Sequence, residues 1–173
     1  MNPLRWWLRG YLTGDCSIDS AGRVRTSSSN LRIVRRLKTL LDGGWVELRR
    51  SQKPLTIFTV KDPLIIKSII EGRRGRLWPE TDDEEELKAW LAGLLDADGC
   101  IKKRLRSGWL AGEITSSNPK LILLTISTAW KLRIKASLTV SCTKQGRLRK
   151  HPVYHVYLRP IDTLKLSIKA AHQ

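Results

Sequence analysis

Apolar and polar residues alternate along this chain in two different rhythms. Leu31, Val34, Leu37 and Leu41 recur at the spacing of one helix face, between a polar Ser29-Asn30 start and a stop at Gly43. Around 16–19, 24–28, 45–50 and 56–60 the period falls to two, which predicts short strands, with turns at Ala21-Gly22 and Lys53-Pro54. Asn2 and Pro3 read as the cap and first residue of a helix that ends near Gly14, and Pro63 opens another. The first half therefore reads helix, two strands, helix, two strands, helix.

The second half repeats that order. A helix runs up to about residue 98, and strands fall near 100–105 and 110–115. A helix follows over 117–131, then strands near 137–144 and 153–158 around a Gln145-Gly146 turn, and a short helix after Pro160. Three segment similarities occur in the same sequence order. Leu8 to Asp15 aligns with Leu91 to Asp98, Thr26 to Leu31 with Ile114 to Pro119, and Phe58 to Pro63 with Val156 to Pro160. Three in register indicate two copies of one unit. The expected fold is α+β, built of two αββαββα units over 1–72 and 83–173, with 73–82 as linker. Thr81 to Glu84 matches a capping box, and the acids beside it suit a helix N-terminus. Glu86-Leu87-Lys88, an ExK pattern used by some nucleases, lies inside that helix and reads as part of its face.

Small residues stand four apart in both aligned helices, Gly10 with Gly14 and Gly93 with Ala97. That spacing puts them on one helix face and lets two helix backbones approach closely. The two helices are expected to pack together about a pseudo-twofold axis, although each could instead pack on its own sheet. Asp15 and Asp98 would then lie at equivalent C-terminal ends. A carboxylate there opposes the helix dipole at a cost of some tenths of a kcal/mol, and such broken local rules are expected at functional sites. Two acids brought together repel, and a hard divalent cation relieves the repulsion. The plain alternative makes each Asp a capping or solvated loop residue.

Charge narrows the partner. The 173 residues carry a formal net charge of +16, and six of the 16 acids cluster over 80–86, so the rest of the chain is more basic still. A polyanion is implied. No apolar run could span a bilayer, and the basic residues do not gather on one amphipathic helix, so nucleic acid is favoured over a membrane surface. Hydrophobic residues at 41% support a packed core. Cys16, Cys100 and Cys142 are odd in number and far apart, and the start lacks the apolar core of a signal peptide, so an intracellular, reduced protein is expected. His151 and His155 have no third ligand nearby in sequence and read as a turn and a strand residue rather than a metal pair.

Leu91 to Gly99 reads Leu-Ala-Gly-Leu-Leu-Asp-Ala-Asp-Gly, which resembles the signature of the LAGLIDADG homing endonucleases in eight of nine positions. Leu8 to Cys16 matches it identically at Leu8, Gly10 and Asp15. Two motifs in one chain look like the monomeric, pseudo-twofold branch of that family. The resemblance implies curved antiparallel sheets, one per half-site, lying in the DNA major groove. It implies Asp15 and Asp98 as the catalytic, metal-binding acids, with two or three Mg²⁺ ions shared by two active sites that cut opposite strands and leave short 3′ overhangs. It also implies an intron- or intein-encoded, monomeric enzyme with double-stranded DNA as partner; its own intron RNA is a further candidate partner. Asp96, whose counterpart is Thr13, reads as structural.

Two departures stand out. Cys16 replaces the final Gly of the motif, so the first helix is expected to end differently. Relatives often place Gln or Lys after the second strand to assist the metal, but here Ser27-Ser28 and Ser116-Ser117 occupy those positions. Arg73, Arg74, Lys102 and Lys103 are the candidate basic helpers. For the DNA face, strand alternation singles out Arg23, Arg25, Arg49, Ser51, Lys53, Thr139, Ser141, Thr143, Lys144, Arg147, Tyr157 and Arg159, of which any one could instead touch phosphate or solvent. Trp6, Trp7, Trp90, Trp109 and Trp130 read as core, while Trp45 and Trp78 could stack on bases. Rival readings on the same fold are an RNA-binding intron maturase and a non-catalytic DNA-binding regulator.

Overall fold

A computed structural model places the elements as α1 (Pro3–Gly14), β1 (Ser17–Ile18), β2 (Val24–Ser28), α2 (Leu31–Leu40), β3 (Trp45–Glu47), β4 (Leu55–Thr59) and α3 (Pro63–Arg73). There follow α4 (Glu84–Asp98), β5 (Gly99–Lys103), β6 (Leu110–Ser116), α5 (Pro119–Lys131), β7 (Lys135–Lys144) and β8 (Arg147–Arg159). The structure describes residues 2–41, 45–47, 55–73, 81–103, 110–144, 147–159, 164 and 167; at 45–47, 68, 70–73, 103, 143–144 and 147–150 it describes the backbone. The helix expected after Pro160 lies outside the described residues.

Local chemistry explains the helix starts. The Asn2 side chain accepts from the Leu4 N–H, with Pro3 in the first turn where its missing N–H costs nothing. Asn30 and Asn118 cap α2 and α5 in the same way, each accepting from two backbone N–H groups. The capping box of α4 is shifted from the expected one. Asp83 is the cap and accepts from the Glu86 N–H, while Thr81 lies outside the helix, with its hydroxyl 2.7 Å from Glu86 Oε2 and accepting from the Asp83 N–H. Both residues can cap, and the turn before α4 brings the Asp83 carboxylate, not the Thr81 hydroxyl, to the Glu86 N–H. Two further boundaries differ from the expected ones. Strand β8 begins at Arg147, so His151 is a strand residue rather than a turn, and α3 continues through Gly72 to Arg73.

Each half forms one open four-stranded antiparallel sheet, in the orders β1-β2-β4-β3 and β5-β6-β8-β7. One face of each sheet supplies core residues. In the first sheet Thr26 and Phe58 pair on that face, and in the second Ile114 pairs with Val156 and Gly112 with Leu158; apart from Gly112, these are all among the most buried side chains. Between the sheets lie α1 and α4, which make the most extensive helix pair of the molecule. Helix α4 is buried almost all round, at Leu87 and from Ala89 to Asp96, as a helix enclosed on every side must be. Trp7 and Trp90 occupy equivalent positions and are both fully buried. Trp6 is buried too, but Trp130 is 71% exposed on α5 and is not a core residue. Trp109 and Trp78 lie outside the described residues, as does the side chain of Trp45.

Candidate active site and nucleic-acid face

The seam between α1 and α4 is closed at its middle by glycine. A Cβ added to Gly10 would overlap the Trp90 carbonyl, and one added to Gly93 would overlap the Trp7 carbonyl. The two contacts are reciprocal, each glycine meeting the carbonyl of the tryptophan three residues before its counterpart. Further along, a Cβ on Gly14 would stand 2.8 Å from Ala97 Cβ and 3.1 Å from the Cγ and Oδ2 of Asp98. The carboxylate at the end of one helix therefore lies against the last residue of the other, next to Asp15 in sequence. The ends differ in detail. Asp15 is the C-cap of α1, whereas Asp98 is the last helical residue of α4 and Gly99 is its cap. Asp15 is half-buried and Asp98 exposed.

Asp15 borders two adjoining cavities. One, of about 440 Å³, is lined with Ser17, Arg25, Ser27 and Ile57 of the first sheet; the other, of about 300 Å³, reaches Tyr11, Asn30, Asp96 and Ala97. Strand pairing places Ser17, Arg25 and Ser27 on the sheet face opposite the core. Oxygen donors thus gather around Asp15. Among the described residues no group of three or more His, Cys, Asp or Glu could enclose a metal. Two carboxylates with open space beside them suit a hard divalent ion that keeps water and takes phosphate oxygens for its remaining positions.

Asp96 is 2% exposed and accepts from Trp7 Nε1 at 2.9 Å and from Ser167 Oγ at 2.8 Å. The guanidinium of Arg36 lies 4.0 Å from its Oδ2 and over the Trp7 ring. Its surroundings are those of a buried tie between the halves. Thr13, its counterpart, donates to the Arg9 carbonyl instead, and Trp90 Nε1 is buried with no partner among the described residues.

The second sheet carries a polar cluster centred on Glu113, a residue the sequence pattern did not single out. Cys100, Glu113, Tyr157 and Ser137 form one cross-strand row, and Thr115, His155 and Thr139 the next, all on the face opposite the core. Glu113 is 3% exposed. It is ion-paired with Lys102, accepts from His155 Nδ1 at 2.9 Å and from Cys100 Sγ at 3.4 Å. A carboxylate only accepts, so His155 carries its proton on Nδ1. Burial opposes ionisation of Glu113, but the Lys102, His155 and Cys100 hydrogen bonds outweigh it and hold the carboxyl below its usual range. Lys102 is thereby anchored on the sheet face by Glu113. The signal for this cluster was a lone Glu inside the apolar run Leu110 to Ile114.

Of the other residues singled out for DNA, Arg23 and Arg25 both pair with Asp19, at 2.8 and 3.0 Å. Thr139, Ser141, Tyr157 and Arg159 lie on the face opposite the core, with Ser141 paired to Val153 and Arg159 to Lys135. A register irregularity between Ser141 and Thr143 interrupts the alternation, so it does not extend to Thr143, Lys144 and Arg147. Lys103 sits on β5 and Arg73 ends α3, in both cases with only the backbone described. Arg49, Ser51, Lys53 and Arg74 lie outside the described residues.

Two motif helices packed through glycine, each followed by ββαββ with an open sheet, define the single-chain LAGLIDADG fold. The homing endonuclease family profile matches residues 80–171, and the chain belongs to that family. Solved structures agree on the fold. The N-terminal LAGLIDADG domain of DUF199/WhiA matches with a TM-score of 0.62 at 15% identity, over 99% of this chain and 83% of that one. A variant of the homing endonuclease I-DmoI in complex with its target DNA and manganese matches at 0.58 and 13% identity, over 99% and 95%. Full-length DUF199/WhiA from Thermatoga maritima matches at 0.59 and 16%, over 98% and 55%. No curated protein matches the chain.

Proposed function

We propose that this protein is a divalent-metal-dependent endonuclease that cuts both strands of a long, specific double-stranded DNA site. The observation that carries this is the glycine seam, which sets the Asp98 carboxylate against Gly14, beside Asp15, between two sheets with polar outer faces. Asp15 and Asp98 are the metal-binding acids, and Mg²⁺ is the expected ion; bound there, it would activate water and stabilise charge on the phosphate. The protein's own residues hold the substrate. The +16 charge draws in the phosphate backbone, and Thr139, Ser141, Tyr157, Lys102 and Arg159 face the groove of one half-site. The first sheet offers Arg25 and Ser27 to the other. A monomer acting with short 3′ overhangs, encoded by the intron or intein it mobilises, completes the reading. Support comes from membership of the homing endonuclease family and from the fold shared with DNA-bound I-DmoI.

A second reading, a DNA-binding regulator that does not cut, draws on the likeness to the WhiA LAGLIDADG domain. One experiment separates them. The purified protein is incubated with fragmented DNA from an intron-free relative of its source, with Mg²⁺ or chelator, and new ends are sequenced. Discrete Mg²⁺-dependent breaks with staggered 3′ ends, lost in Asp98→Asn, support the nuclease. Metal-independent binding without breaks supports the regulator.

A further inference from the structure

The first motif departs from the second at a position that faces its own acid. Tyr11 stands where the second motif has Leu94, one turn before Asp15, and its hydroxyl lies 3.3 Å from Asp15 Oδ2. The ring is 2% exposed and stacked on Trp7 at 5.2 Å, so it cannot swing away. The phenol carries one O–H, which it donates. The same hydroxyl is 3.3 Å from the Ser27 carbonyl. It has one proton and two acceptors, so Asp15 can turn toward a ligand without leaving that donor unsatisfied.

A second tether acts on the same residue. Thr26 Oγ1 donates to the Asp15 backbone carbonyl. The caps Asn30 and Asn118 fix the alignment of the two units, and in it Thr26 corresponds to Ile114. Leu94 and Ile114 have no hydroxyl, so neither tether can be reproduced at Asp98 by those positions.

We propose that Tyr11 is a positioning residue that orients the Asp15 carboxylate and makes the two acid sites unequal, so that the two DNA strands are cut with different dependence on divalent cation. This rests on the nuclease reading above. A group hydrogen-bonded to a metal ligand fixes that ligand's orientation, and its loss commonly costs about 10–100-fold in metal affinity.

The test is a single-turnover assay on a target duplex with the two strands labelled differently, titrated with MgCl₂. Asp15→Asn and Asp98→Asn identify which strand depends on which acid. Tyr11→Phe keeps the stacked ring and removes only the hydroxyl. On the Asp15-dependent strand it should raise the half-maximal Mg²⁺ concentration on the order of 10-fold, leaving the other strand within about 2-fold. A merely structural role would slow both strands alike, and that result, or no change on either strand, overturns the inference. If Tyr11→Phe melts early, Thr26→Val must give the same strand bias, and an even loss overturns the inference too. A wild-type protein that cuts neither strand removes the nuclease reading and this inference with it.

Discussion

Replacing Gly10 with alanine tests the closeness of the central seam, because two physical effects of opposite sign meet there. Alanine is the better helix former, and on an exposed helix the change would stabilise by about 1 kcal/mol. At Gly10 the new Cβ would overlap the Trp90 carbonyl and stand 2.8 Å from its carbon and 3.0 Å from the Leu94 nitrogen. All three are backbone atoms of α4, so no side chain can rotate to make room. The helices must instead separate along a contact that includes Trp7, Leu91 and Leu94, all fully buried. Overpacking of this kind costs about 3 kcal/mol at the upper end of its usual range. The net loss is then about 2 kcal/mol, which in a chain of this size lowers Tm by roughly 4–8 °C. Gly14→Ala should lose less, since its added Cβ meets the side chains of Ala97 and Asp98 rather than backbone. Calorimetry on both variants is the assay. Gly10→Ala melting at or above wild type would mean that the helix preference prevails and the backbones are not in contact.

Other expectations follow from the buried polar groups. Trp7→Phe should cost about 1.5–3 kcal/mol more than Trp90→Phe in urea unfolding, because only Trp7 donates to the Asp96 carboxylate while Trp90 Nε1 has no partner among the described residues; equal costs would contradict it. Glu113→Gln should destabilise by about 1–2 kcal/mol at pH 7. The folded carboxyl titrates below its usual value, so the stability it contributes is complete above about pH 4.3 and lost as pH falls through the folded pKa. Unfolding at pH 7 and pH 3 should show the gap between variant and wild type closing in acid, and a gap constant with pH would refute the assignment.

Several features were legible without the structure because they are local. Asn2, Asn30 and Asn118 announce helix starts through atoms two or three residues away. The alternation along β2 and β7 fixes which residues share a face. The substitution of Cys16 for the motif glycine foretold the different helix ends at Asp15 and Asp98. Even the Tyr11–Asp15 contact, four residues apart on one helix, was within reach of sequence reasoning. The choice of Asp83 over Thr81 as cap was not, because both residues can cap and only the geometry of the turn selects one.

Two copies of one unit, their element order, the glycines on the motif helices and a charge that calls for a polyanion can all be read along the chain. Those are consequences of periodicity and composition along the chain. Tertiary structure alone decided what meets across it. Glu113, Lys102, His155 and Cys100 become one cluster through the register of three strands. Trp7 finds Asp96 89 residues away, while its twin Trp90 finds nothing among the described residues, since Thr13 turns its hydroxyl back to Arg9. Two units alike in sequence pattern thus become unlike in chemistry, because packing selects partners by position in space.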